Sequence, residues 1–184
     1  MERNEQDSIK AAILATAARL FREKGVQGAS IGDIADAVDI SKGTVYYYFK
    51  AKSDIVAAVA DRHMGAISDV MFDWVNSLDR SCGKESVLAL FDTLVGEAVD
   101  AKLHCALLAY SACSGELAQL LNARYREWRI MLEVGSLKMA SPVSERVRSL
   151  SDTFFVLVDG YMLQNNAGVP GRARQQIELL TERI

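Results

Sequence analysis

A chain of 184 residues, half of them hydrophobic, can bury one sizeable core or two small ones and is too apolar to remain disordered. The net charge of −3 excludes a protein coated in nucleic acid, but the balance is uneven: residues 1–52 hold 8 Lys/Arg against 7 Asp/Glu, and residues 53–184 hold 13 against 17. Three cysteines (Cys82, Cys105, Cys113) without CxxC or Cys/His spacing exclude a disulfide framework or a zinc module, and two prolines with apolar residues every three to four positions predict an all-α fold.

The first seven residues, Met1 to Asp7, are polar and mixed in charge, which argues against a secretory signal. Asp7 or Ser8 is expected to cap a first helix with Ile9, Ile13, Ala17, Leu20 and Phe21 inward, ending near Lys24 with Gly25 as a left-handed terminator. Ser30, with Asp33 three residues on in capping-box position, starts a short second helix with Ile31, Ile34, Ala35 and Val38 on one face. A tight turn at Val38 to Ile40 leads to Ser41, the cap of a short third helix carrying Val45 and Phe49 inward; together these make a helix-turn-helix. Longer helices follow, at about 53–78, 85–101, 103–113, 115–139, 142–167 and 171–183, with Ser114-Gly115 and Ser141-Pro142 as cap signals and Gly168-Val169-Pro170-Gly171 as a break. The apolar run from Cys105 to Cys113 is far shorter than the roughly 20 residues a bilayer requires. The expectation is a cytoplasmic protein without a membrane partner, in two domains: 1–52, a helix-turn-helix domain, and 53–184, a larger helical effector-binding and dimerisation domain.

Between Ile40 and Lys52 stand Lys42, Lys50 and Lys52 and no acid, so a polyanion is expected to dock there. Gly43 permits close approach of a backbone, Thr44 offers a hydroxyl and a methyl, and Lys42 offers an ammonium for a guanine edge or a phosphate. Tyr46, Tyr47 and Tyr48 cannot all face inward, because consecutive helical positions point about 100° apart. The stretch from Ile34 to Ile55, with Ile34, Ala35, Ile40, Ser41, Gly43, Thr44, Val45, Tyr46, Phe49 and Lys52 in matching places, resembles the DNA-binding motif of the TetR family of bacterial transcriptional regulators.

That resemblance covers about residues 8–60. It implies a homodimeric repressor of a double-stranded, palindromic operator, contacted through Ser30, Ser41, Lys42, Gly43, Thr44, Tyr46, Tyr47, Tyr48 and Lys52. Two departures stand out: Asp39 occupies the turn position usually held by Gly, and Ala51 replaces the usual Ser or Asn cap of the fourth helix. By the same resemblance the last two helices supply the dimer interface, through Phe154, Leu157, Val158, Tyr161, Met162, Ile177, Leu180 and Ile184. His63, Met71, Trp74, His104, Tyr110, Tyr125, Trp128 and Met131 are the candidates to line a cavity for a small lipophilic or aromatic effector, although each is also ordinary core material.

No cofactor and no metal site is expected. The enzyme alternative lacks an HExxH or Glu-x-x-His pairing, a phosphate-cradling glycine loop and a nucleophile-base arrangement. The other alternative, a helical ligand-binding or redox-sensing protein without operator-specific DNA binding, meets a geometric obstacle. Cys105 and Cys113 are about 12 Å apart along one helix, too far for a disulfide.

Overall fold

The computed structural model describes residues 2–139, 145–169 and 171–181. Over these the chain is all-α: α1 (Glu2–Gly28), α2 (Ile31–Val38), α3 (Lys42–Tyr48), α4 (Lys52–Ser77), α5 (Lys84–Val95), α6 (Ala101–Ser111), α7 (Gly115–Met139), α8 (Glu145–Asn166) and α9 (Ala173–Thr181). The expected Ser141-Pro142 cap, Pro170 and Ile184 lie outside the described residues.

Packing divides the chain into two compact units, residues 1–63 with 106–121 and residues 64–105 with 122–184. This differs from the expected division after residue 52. The first turns of α4 carry Ile55, Val56, Val59 and Ala60, all buried, and the segment 106–121 adds Leu107, Leu117 and Leu121 to the same unit.

In the first unit the inward stripe of α1 is as the spacing predicts: Ile13, Ala17, Leu20 and Phe21 are buried. The helix begins at Glu2, so Asp7 and Ser8 are inside it and cap nothing. Gly25 interrupts the helix, but with φ 73° and ψ 163° it occupies an extended region open to glycine alone rather than the left-handed helical one; a short turn resumes to Gly28. Helix α2 packs on α1 and α3 on α2. The turn between α2 and α3 is made by Asp39 at φ 59°, ψ 46°, its N–H donating to the Ala35 and Asp36 carbonyls. It is the one non-glycine residue with positive φ among those described.

In the second unit α5, α8 and α9 pack on one another. The buried residues of this part of α4, namely Met64, Ile67, Met71 and Trp74, recur at intervals of three and four, and Leu78 just beyond its end continues the stripe. Trp74 lies so close to α7 that a Cβ at Gly135 would overlap its ring, and its indole N–H donates to the Ser86 carbonyl at 2.8 Å. Helix α5 stops at Val95, earlier than the periodicity predicts, because α6 has its own start: Asp100 accepts from the Leu103 N–H at 3.0 Å as its N-cap.

The backbone at Gly25 and at Asp39 makes the same demand, since both have a positive φ that disfavours a Cβ. Gly25→Ala is expected to destabilise by about 1–3 kcal/mol although an added Cβ there meets open space. Asp39→Ala should cost about 1 kcal/mol, whereas Asp39→Gly should be neutral or stabilising. Chemical denaturation of the three variants checks this, and equal behaviour of Ala and Gly at 39 would show that the left-handed turn carries no strain.

Candidate functional site

Helices of eight and seven residues are too short to persist alone, so the site begins with their caps. At α2, Ser30 accepts from the Asp33 N–H at 3.1 Å, while the Asp33 carboxylate accepts from the Ser30 N–H at 2.8 Å and from its hydroxyl at 2.5 Å. Those bonds, the hydroxyl first, hold the Asp33 carboxyl well below the usual carboxylate range, with Lys24 at 3.2 Å contributing. At α3, Ser41 accepts from the Thr44 N–H at 3.0 Å and its hydroxyl pairs with that of Thr44 at 2.9 Å. Val45 and Phe49 anchor α3 to the core, both buried.

The opposite face of α3 is open. Ser41, Lys42 and Gly43 are exposed, Tyr46 and Tyr47 are 47% and 65% exposed, and Tyr48 is half-buried with its ring edge-on to Tyr47. The nearest heavy atom to a Cβ at Gly43 would be the Ser41 hydroxyl at 3.5 Å, so nothing inside the protein requires glycine there. What the glycine leaves free is the outside, where another backbone can approach. The Lys42 stem passes over Gly32, whose absent side chain makes room for it. Lys52, the first residue of α4, is partly buried, which lowers its pKa against the opposing pull of Asp33, and its ammonium donates to the Gln27 carbonyl at 3.4 Å. The missing hydroxyl at Ala51 is compensated from the other half of a capping box: the Asp54 carboxylate accepts from the Ala51 N–H at 3.0 Å.

Ser30 differs from its expected role. Its one hydroxyl proton goes to Asp33, so it has none for a phosphate and acts as a cap. The remaining candidates share the exposed side of α3 or its flanks.

Residues 13–59 match the family model described as bacterial regulatory proteins, tetR family. The HTH-type transcriptional repressor KstR2 of Rhodococcus jostii is 27% identical over 92% of this chain and 88% of its own length. IcaR, the negative transcriptional regulator of the Staphylococcus aureus biofilm operon icaADBC, is 43% identical over 47 residues, 26% of this chain and 25% of IcaR. A transcriptional regulator from Saccharomonospora viridis, solved in complex with choline, shares the fold at TM-score 0.77 and 21% identity, covering 96% of both chains. Over residues 13–59 the chain thus matches the DNA-binding region of TetR-family transcriptional regulators.

The candidate effector residues do not form one group. His63 and Tyr110 belong to the first unit and the other six to the second. Trp74 and Met71 are core, and Trp128 is buried with its indole N–H donating to the Ser68 hydroxyl at 2.8 Å. Two of the candidates meet through a residue the spacing did not single out: the Asp159 carboxylate accepts from the Tyr125 hydroxyl at 2.7 Å and lies 3.0 Å from His104 Nε2, which is also 3.1 Å from the Tyr125 hydroxyl. Burial, then the Asp159 charge, pushes the Tyr125 phenol upward, so it stays a donor. Trp128 and Phe155 stand at 5.0 and 5.9 Å from the Tyr125 ring. The one sequence signal for Asp159 was a lone carboxylate in the apolar stretch from Phe154 to Met162.

Of the expected interface residues, Phe154, Val158, Met162 and Ile177 are buried within the chain and are unavailable to a partner; Leu157 and Tyr161 are half-buried and Leu180 is exposed. The outward apolar residues of α8 and α9 are Val156, Leu163, Leu179 and Leu180. Helices α5 and α9 pack against α8 from within the chain. Cys105, half-buried, accepts from the Asn166 amide at 3.4 Å, and burial pushes its thiol up, away from the reactive thiolate.

The Asp33 carboxylate stabilises the fold fully above the ordinary carboxylate range, and the contribution is lost as pH falls toward and through its depressed value. Asp33→Asn should therefore lower Tm at pH 7, and the gap to the parent should close on acidification below about pH 4. Circular dichroism melts across pH check this; a gap that does not change with pH would mean that the charge on Asp33 contributes nothing.

Proposed function

We propose that the chain is a repressor that binds a palindromic operator as a two-fold dimer, with α3 in the major groove, and is released by a small lipophilic or aromatic effector. The observation that carries the DNA reading is the exposed row Lys42, Gly43, Tyr46 and Tyr47 on a helix capped at one end and anchored by Val45 and Phe49. Base edges would meet Lys42, Gly43 and Thr44; phosphates would meet the Tyr46 and Tyr47 hydroxyls and the Lys50 and Lys52 ammoniums, with Ser41 and Tyr48 at the margin. A helix of seven residues reads only a few base pairs, so a dimer on successive half-sites supplies the missing specificity.

The dimer is assigned to the outer face of α8 and α9. Val156, Gly160 and Leu163 follow one another at i, i+4 and i+7, and a Cβ at Gly160 would meet nothing within 4 Å, so a second copy of the helix can come close. Leu163→Glu is expected to convert the dimer to a folded monomer, read by sedimentation with helicity unchanged. A dimer that survives it would move the interface elsewhere.

The effector reading rests on the second unit, where Tyr125, Trp128 and Phe155 surround the polar trio His104, Tyr125 and Asp159. A relative of the same fold was solved with choline, which supports a small molecule as the signal. Release requires an effector that binds one conformation better than the other, with coupling typically of about 1–3 kcal/mol. Helix α4, which carries Lys52 in its first turn and Met71 and Trp74 farther on, is the proposed link.

Selection from random duplex DNA tests the main reading, followed by titration at several salt concentrations. A palindromic site should be enriched. Thr44→Ala should weaken the selected site about tenfold while leaving random DNA unaffected, and Lys52→Ala should weaken both and reduce the salt slope by about 1. If no sequence is enriched and both variants behave as the parent does, operator recognition is lost as an explanation.

A further inference from the structure

The break in α1 at Gly25 borders a cleft of about 260 Å³, which lies wholly within the first unit. One wall is Lys24, Gly25, Val26 and Gln27; the other is Ala106, Ala109 and Tyr110, which share a face of α6 at i, i+3 and i+4. The space exists because the facing side chains are small: two alanines and a glycine whose added Cβ would meet nothing within 4 Å. A cleft of this volume suits a ligand of about ten to fifteen non-hydrogen atoms, just below the range of ordinary small-molecule pockets.

Its chemistry is specific. Tyr110 offers an aromatic ring and Val26 a buried apolar surface. The ammonium of Lys24 and the amide of Gln27 are donors, and no acidic side chain lines the cleft. The Gln27 amide now donates to the Cys113 sulfur at 3.3 Å, a weak acceptor that a carboxylate oxygen would readily replace. We propose that this cleft binds a small planar aromatic carboxylic acid, its ring against Tyr110 and Val26 and its carboxylate on Lys24 and Gln27, and that occupancy weakens operator binding.

The coupling follows from what the same residues hold. Lys24 pairs with Asp33 at the start of α2, and the Gln27 carbonyl accepts from Lys52 at the start of α4. A bound carboxylate competes with Asp33 for the Lys24 ammonium and adds a negative charge beside the groups that meet phosphate, so DNA is repelled. This second half rests on the DNA-binding reading; the first half does not.

The test uses naphthoate and its neutral counterpart naphthamide, titrated by calorimetry into the full chain and into Ala109→Phe and Lys24→Gln, with thermal melts confirming that each variant folds. Naphthoate should bind once per chain and naphthamide about tenfold more weakly. Ala109→Phe should abolish both, and Lys24→Gln should bring the acid down to the level of the amide. No binding of naphthoate, equal binding of acid and amide, or unchanged binding to Ala109→Phe would each overturn the cleft assignment. With the selected operator, saturating naphthoate should raise Kd about fivefold or more. An unchanged Kd while calorimetry still shows binding overturns the coupling alone, and failure of the ligand-free protein to bind DNA overturns the regulator reading while the cleft result stands.

Discussion

A helix of seven residues has almost no stability of its own, because nucleation fixes several dihedrals for each hydrogen bond gained. Everything the DNA-facing surface can do therefore depends on how α3 is held. The hold is made of two kinds of contact. Ser41 satisfies the first free N–H groups, and Val45 and Phe49 tie the inner face to the core of α1 and α2. The same arrangement is repeated for α2 by Ser30 and Asp33, and between the two helices Asp39 accepts a left-handed backbone that stops α2 abruptly. With the inner side so constrained, α3 keeps an outer side free of internal duties, and the tyrosines and Lys42 can remain exposed without loss of the fold.

The constraint extends to the flanks. Lys52 is half-anchored, its ammonium reaching the Gln27 carbonyl, and Asp54 caps the helix that Lys52 begins. A lysine held at a helix start has lost part of its freedom before DNA arrives, so less is lost on binding than for a free surface lysine. Ser30 shows the converse. A hydroxyl already committed to a strong acceptor fixes geometry well and is correspondingly useless as a phosphate donor.

Local chemistry made the first unit legible. Caps, a capping box and a turn are interactions between residues three or four apart, so Ser30-Asp33, Ser41 and the inward residues of α1 to α3 follow from spacing alone. The half box at Ala51-Asp54 has the same spacing, but without a hydroxyl at 51 only the acid three residues later marks it. The second unit was legible as helices but not as a site. Asp159 meets His104 and Tyr125 across 55 and 34 residues of chain, and no period reveals such a pairing. The outward side of α8 is hidden in the sequence for a related reason. A helix rich in apolar residues on several sides does not disclose which side its own chain will cover, and α5 and α9 cover the one bearing Phe154, Val158 and Met162.

The trio of His104, Tyr125 and Asp159 is costly where it stands. An acid among aromatic rings must be compensated by donors, and here it is: a phenol that burial keeps protonated and an imidazole N–H. A core built for stability alone would be better served by apolar side chains of similar volume. The trio also joins three helices, α6, α7 and α8, through one carboxylate, so a ligand that took over either donor would release two helix contacts together. That is the kind of element a two-state protein requires, since a shared acceptor makes its bonds exchange as a set rather than one at a time. The apolar surroundings sharpen the exchange, because a donor left without an acceptor in that environment is unfavourable in either state. Fixed caps around α3 and a replaceable acceptor beneath the aromatic wall thus give the chain one part that must not change shape and another that can.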